Sequence, residues 1–245
     1  MISTTKANVE TFKHLYEHGY GNKYPDEYII SFYYNWIKKC IDMKKKERLI
    51  LDYGCGIGTN LAFFNNLPEE KWNCYGCDTD KSACDLANAR LKSETILHIE
   101  PESQNDLATL FFTKYGKISF DVILACNVLF YLSDNEILNL LNEFDKLLNK
   151  NGIVLFTMHD VNNFRYLKSR PSDIPGLRYV DMSQVAPSLE RAMVYINFKT
   201  SLECDELFSS VFHKLFLGYR DACYKDEHIG GVKLHIYFGR KMCPF

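Results

Sequence analysis

No run of roughly eighteen apolar residues occurs in this 245-residue chain, so the sequence offers no helix able to cross a membrane. Positive charge is not in excess either. Lys and Arg number 29 against 31 Asp and Glu, a formal charge of -2, and no general field gathers nucleic-acid phosphates. The opening stretch MISTTKANVETFKHLY is polar and lacks the apolar core of a secretory signal. Repeats and low-complexity linkers are missing. Cysteine is not scarce, but nine scattered thiols are odd in number and do not suit the paired framework of a small secreted fold. These absences lead to the expectation of a soluble, cytoplasmic protein with neither nucleic acid nor membrane as partner. What is abundant is ordinary globular material, 47% hydrophobic and 24% charged, enough for one large domain with a real core.

Texture changes along the chain. Residues 1–46 read as a helical cap, broken at Gly19-Tyr20-Gly21 and Tyr24-Pro25. From Arg48, apolar runs alternate with helical stretches. Leu49-Ile50-Leu51, Asn73 to Gly76, Thr95 to Ile99, Phe120 to Ala125 and Ile153 to Thr157 read as strands. Thr59 to Asn66 and Asp80 to Leu91 read as helices, and Ser133-Asp134-Asn135-Glu136 spells a capping box before a third. Strands apolar on both sides, separated by helices, predict an α/β fold with a doubly wound, mostly parallel sheet. Residues 161–200, with Pro171, Pro175 and Pro187 and no clear period, read as an inserted loop or lid. A closing helix, Leu202 to Phe212, and two strands around Gly230-Gly231 that could pair as an antiparallel hairpin fill 201–245.

The sharpest motif is Leu51-Asp52-Tyr53-Gly54-Cys55-Gly56-Ile57-Gly58-Thr59-Asn60. Glycines at 54, 56 and 58 follow a strand and precede a helix, which lets a ligand approach bare backbone and unpaired N–H groups. The dinucleotide fingerprint needs Gly or Ala where Thr59 stands, and Asp52 at the mouth repels a pyrophosphate. A cationic ligand with hydroxyls fits better. Asp78 lies 20 residues beyond Gly58, the spacing of adjacent strands joined by one helix, and a carboxylate can accept both hydrogens of a vicinal diol. Cys74-x-x-Cys77 sits on a strand, where residues three apart face opposite sides, so it reads as core rather than redox or zinc chemistry.

Taken together, Asp52-x-Gly54-x-Gly56-x-Gly58, Tyr75-Gly76-Cys77-Asp78, Phe120 to Leu129 and Asn151-Gly152-Ile153-Val154-Leu155 resemble, in order, the motifs of class I S-adenosylmethionine-dependent methyltransferases. The resemblance covers about residues 48–160 and, more loosely, the closing hairpin. It implies a seven-stranded Rossmann-like sheet whose last strand is antiparallel, a donor-binding core over 47–160, and S-adenosylmethionine as cofactor. It places Asp52, Gly54, Cys55, Gly56, Gly58 and Asn60 around the donor, Asp78 and Thr79 at its ribose, and Asn127 near its methionine end. Glu100, Glu102 and Asp106 all compete for the adenine. A leading helix that closes over the cofactor in many members implies that Tyr16, Tyr20 and Tyr24 line the site, Tyr16 and Tyr24 toward the donor and Tyr20 toward the acceptor.

For the acceptor, His159 at the expected end of the fifth strand is the candidate base, with Asp160 beside it. No metal site is expected. Tyr131, Arg165, Arg170 and Arg178 are candidate substrate contacts, and the three arginines together with Lys168 and Arg191 make residues 161–200 basic. Arginine suits phosphate, so the acceptor is expected to be a small molecule, phosphorylated or nucleotide-linked. The segment Tyr20-Gly21-Asn22-Lys23-Tyr24-Pro25 is similar to one in bacterial methyltransferases that decorate surface polysaccharides, including those acting on a capsular phosphoramidate. Two readings compete with this one: a nicotinamide-dependent oxidoreductase, and a donor-binding pseudoenzyme.

Overall fold

A computed structural model describes residues 8, 23–42, 45–68, 70–182, 193–222 and 231–242. The described chain opens with α1 (Glu27–Phe32), which passes through a π turn (Tyr33–Ile37) into α2 (Lys38–Cys40). The alternation follows: β1 (Arg48–Tyr53), α3 (Thr59–Asn65), β2 (Trp72–Asp78), α4 (Lys81–Leu91) and β3 (Ile96–His98). A 3-10 turn (Pro101–Asp106) leads to α5 (Leu107–Tyr115), β4 (Phe120–Ala125), a second 3-10 turn (Leu129–Tyr131), α6 (Asp134–Leu147) and β5 (Leu148–Asp160). After these come α7 (Phe164–Leu167), β6 (Arg170–Pro171), β7 (Leu177–Asp181), β8 (Met193–Lys199), α8 (Ser201–Ser209), β9 (Phe212–Ala222) and β10 (Val232–Lys241).

The main sheet runs β3-β2-β1-β4-β5-β10-β9. Strands β1 to β5 are parallel, and β10 runs antiparallel between β5 and β9. This is the doubly wound, mostly parallel sheet that the sequence pattern predicts, with the seven strands and antiparallel late strand that the family resemblance implies. Alternation along each central strand divides the core into two layers. Leu51, Ile123, Val154 and Phe156 pack with α5, α6 and α8, whereas Ile50, Val122, Leu124 and Leu155 pack with α1, α3 and α4. Cys74 and Cys77 fall into opposite layers, as residues three apart on a strand must.

Residues 161–200 depart from the expected loop. The segment folds into α7 and a three-stranded antiparallel sheet, β6-β7-β8, which joins the main sheet where Phe198 and Lys199 pair with His159 and Asp160. The prolines masked a usable pattern. In β8, Val194, Ile196 and Phe198 are buried on one side and join the α5–α6–α8 layer. Ser133 and Glu136 form on α6 the reciprocal capping box that the sequence spells; Thr200 and Glu203 form another on α8, and Asp80 caps α4 through the Ala83 N–H.

Candidate active site

At the carboxyl end of β1 the chain must turn back toward α3, and it does so through glycines with φ of 68° (Gly54), 51° (Gly56) and 74° (Gly58). Two of these positions are closed to any side chain. A Cβ on Gly54 would lie 2.5 Å from Val128 Cγ2, and one on Gly58 would lie 2.9 Å from Ala87 Cβ. The N–H groups of Gly54 and Cys55 both donate to the Cys77 carbonyl, at 2.8 and 3.1 Å, which pins the loop to the end of β2. The Cys55 thiol is buried behind the loop rather than at its mouth. Thr59 opens α3, with its hydroxyl held by Arg90.

Two carboxylates flank this loop. Asp52 is 1% exposed. Its Oδ2 accepts from Asn60 Nδ2 at 3.3 Å, and its Oδ1 is buried without a hydrogen-bond partner. Burial pushes its pKa up to about 8, with the charges of Asp78 and Asp26 adding to the rise and the Asn60 bond opposing it. Asp78 ends β2. Its Oδ2 accepts from the Gly56 N–H at 2.8 Å and its Oδ1 from the Asp80 N–H at 3.0 Å, so both oxygens are fixed while each keeps a lone pair. Burial raises its pKa, against those backbone bonds. Thr79 follows, its carbonyl in contact with His98 Nε2 at 3.2 Å. Glu100 is exposed at the start of the 3-10 turn.

Asn127, just past β4, adopts φ 60°. Its N–H donates to Thr157 Oγ1 at 2.7 Å, and its amide donates to Asp26 Oδ2 at 2.8 Å and to the Tyr28 hydroxyl at 3.1 Å. The Tyr28 hydroxyl donates to the same Asp26 oxygen at 3.0 Å. Asp26 stands at the N-cap position of α1 but makes no cap bond; its carboxylate is turned onto these partners instead. Burial raises its pKa. The leading segment is therefore fastened to the post-β4 turn, beside Asp52. Sequence reasoning missed Asp26 and Tyr28. The usable signal was the acid directly after Tyr24-Pro25, at a helix start. Tyr24 itself is 80% exposed, while Tyr16, Tyr20 and Arg191 lie outside the described residues.

On the acceptor side, His159 is 1% exposed, its ring 4.0 Å from that of Phe130 between centroids. Nδ1 lies 2.9 Å from Asn163 Nδ2 and Nε2 lies 3.0 Å from Arg165 Nη1. Burial first, and the Arg165 charge second, push its pKa well below the usual histidine range, against a contribution from the Lys233 carbonyl. Asp160 is occupied as well: Oδ2 meets His235 Nε2 at 2.7 Å, and Oδ1 accepts from the N–H and side chain of Asn162 at 2.6 and 2.7 Å. Tyr131 is half-buried and packs edge-on against Phe130. Arg178 lies over the Tyr166 ring at 4.4 Å and donates to Ser169, and Arg170 is exposed on β6. Among the described residues no group of three or more His, Cys, Asp and Glu is placed to hold a metal ion, and no helix is long and apolar enough to cross a membrane.

The geometry above coincides with a family match over residues 51–154, described as a methyltransferase domain. Solved structures share the chain's fold. A SAM-dependent methyltransferase from Anabaena variabilis aligns over 99% of this chain and 96% of its own, with TM-score 0.65 and 13% identity. One from Methanosarcina mazei aligns over 86% and 99%, with TM-score 0.63 and 16% identity. The magnesium protoporphyrin IX methyltransferase of Synechocystis, solved with bound SAM, aligns over 99% of both chains, with TM-score 0.58 and 11% identity. A protein of uncharacterised function from Rickettsia prowazekii is 24% identical over 205 residues, 77% of this chain and 75% of that one.

Proposed function

We propose that this methyltransferase moves a methyl group from S-adenosylmethionine to an oxygen of a small, negatively charged acceptor: a phosphorylated, phosphoramidate or nucleotide-linked sugar of surface-polysaccharide (capsule) synthesis. One observation carries the donor assignment. Asp52 offers a buried oxygen without a partner beside a turn of bare backbone, the complement of a ligand's ammonium group. When bound, the donor supplies an electrophilic methyl group on a sulfonium. Asp52 receives the ammonium, Asp78 accepts the two ribose hydroxyls through its free lone pairs, and Gly54 and Gly58 let the loop close tightly on Val128 and Ala87, which holds its backbone in place. Asn127, tied to Asp26, holds the leading segment against the turn. Methyl transfer is an in-line displacement, so fixing the acceptor is most of the protein's task, worth roughly 7–11 kcal/mol where alignment is good.

The acceptor assignment rests on the basic character of residues 161–200 and on the position of Arg165 in α7, in contact with His159 near the end of β5. Its test is donor turnover with phosphorylated sugars, sugar nucleotides and phosphoramidates, each against its uncharged counterpart. Turnover confined to the charged compounds is expected; no turnover on any of the three discards the phosphate reading. Asp78→Ala is expected to weaken donor binding sharply, and unchanged affinity would mean the ribose is misplaced.

A further inference from the structure

Arginines in the described residues mostly have their charge or donors occupied. Arg220 pairs with Glu27 at 3.1 Å, Arg178 with Ser169 and the Tyr166 ring, and Arg90 with Thr59. Arg165 and Arg240 differ: no carboxylate of the described residues pairs with either, and the Nε of each is buried without a partner. Arg240 donates instead to the Cys40 carbonyl, whereas Arg165, half-buried beside the Phe164 ring, turns Nη1 to a histidine nitrogen at 3.0 Å. Withdrawing part of a guanidinium from water without a counter-ion is costly, and an oxyanion arriving from the solvent side would complete it.

The location says what completes it. Val128 closes against Gly54 in the donor loop; two residues on, Phe130 lies against His159; and His159 meets Arg165. Arg165 is thus linked to the donor loop through His159, Phe130 and Val128. The histidine between them is fixed on every side. Phe130 and Phe198 flank its ring at 4.0 and 5.7 Å, Asn163 touches Nδ1, and Asn163 is itself anchored by the Lys233 carbonyl and the Arg165 N–H. A ring so enclosed next to a permanent cation stays neutral and cannot reach an acceptor proton. It can only hold the guanidinium in place.

We propose that Arg165, steadied by His159, receives a phosphate-type oxyanion of the acceptor, so that His159 is a positioning residue for that charge rather than a base. The proposal rests on the anionic-acceptor reading above and assigns it to one guanidinium. Arg178 and Arg170 do not share the role: the first is spent on Tyr166 and Ser169, and the second projects from the exposed β6 edge. A forked guanidinium with an unfilled Nε matches the paired oxygens of a phosphate.

The test is a titration of the full chain with inorganic phosphate, followed by NMR of the Arg165 Nε–H and the His159 ring nitrogens. A parallel titration uses acetate, and S-adenosylmethionine affinity is measured on every sample. Phosphate is expected to shift both residues' signals, and Arg165→Gln to weaken phosphate binding about tenfold or more while donor affinity persists. His159→Ala should weaken the phosphate response, and His159→Gln, whose amide can still support the guanidinium, should restore most of it. If Arg165→Gln does not fold, Arg165→Lys keeps the charge without the fork and should still bind phosphate more weakly than the natural chain. Shifts absent from both residues, a response lost in Arg178→Gln but kept in Arg165→Gln, or tighter binding of acetate than of phosphate overturns the proposal. Failure here with donor binding intact leaves the methyltransferase reading standing, whereas loss of donor binding in the natural chain refutes that reading separately.

Discussion

Donor binding should release a proton from Asp52, and the size of the effect follows from its burial. With a pKa near 8, Asp52 is mostly protonated in the free protein at pH 7. An ammonium seated on it requires the ionised form. Ionising a group one unit below its pKa costs about 1.4 kcal/mol, so donor affinity should rise about tenfold per pH unit from pH 6 toward 8. The rise should stop near pH 8, where Asp52 is already ionised and an α-amino group of ordinary pKa, about 7.7–8.0, begins to lose its own charge. Calorimetry in buffers of different ionisation enthalpy should count close to one proton released at pH 7, and Asp52→Asn should abolish both the release and the slope. Stability runs the other way. A carboxyl whose folded pKa is raised contributes stability that is complete below its unfolded pKa, about 3.9, and lost as pH climbs through about 8. Unfolding of the free protein should therefore become easier from pH 5 to pH 8, and less so in Asp52→Asn. A flat affinity profile over pH 6–8, with no proton released, would refute the placement of Asp52 at a cationic group.

Three further outcomes can be measured by urea unfolding and donor titration. Gly54→Ala should destabilise the protein by about 2 kcal/mol or more, because the new methyl strikes Val128 and the backbone there is left-handed. Adding Val128→Ala should recover only part of the steric cost, because Val128 Cβ itself would lie 2.8 Å from the new methyl, and Val128→Gly should recover more and leave the backbone cost of about 1–2 kcal/mol; no recovery in either would mean that the contact is not the cause. Asn127→Ala should cost about 1–3 kcal/mol by removing the bonds to Asp26 and Tyr28 at a left-handed position, and Asn127→Gly should recover the backbone share while still binding donor weakly. Ser133→Ala should cost about 1 kcal/mol by opening the α6 capping box and leave donor affinity unchanged; a change in affinity would reveal coupling between α6 and the cradle that the contacts do not predict.

Much of the fold was legible because the central strands are apolar on both faces and the loops that follow them are chemically distinctive. Asp52, the glycine turn and Asp78 declare a strand, a sharp turn and a second strand from spacing alone. The insertion was not legible. Strands β7 and β8 are short and partly exposed, prolines stand between the segment's elements, and the pairing depends on β7 meeting β8 and β8 meeting β5 rather than on local pattern. The acceptor side was readable only as composition. That residues 161–200 are basic is visible in the sequence; that Arg178 is spent on an aromatic ring while Arg165 is left without a counter-ion depends on which side chains the folded chain brings within reach. The same holds for Asp26, whose carboxylate meets Asn127 across about a hundred residues of chain.

The central claim is that a turn of side-chain-free backbone between two carboxylates holds an adenosyl sulfonium. Crystals grown with S-adenosylmethionine test it directly. The expected density lies along Gly54–Gly58, with the ribose on Asp78 and the ammonium on Asp52. Density at another site, or an empty cradle under saturating donor, would contradict the account.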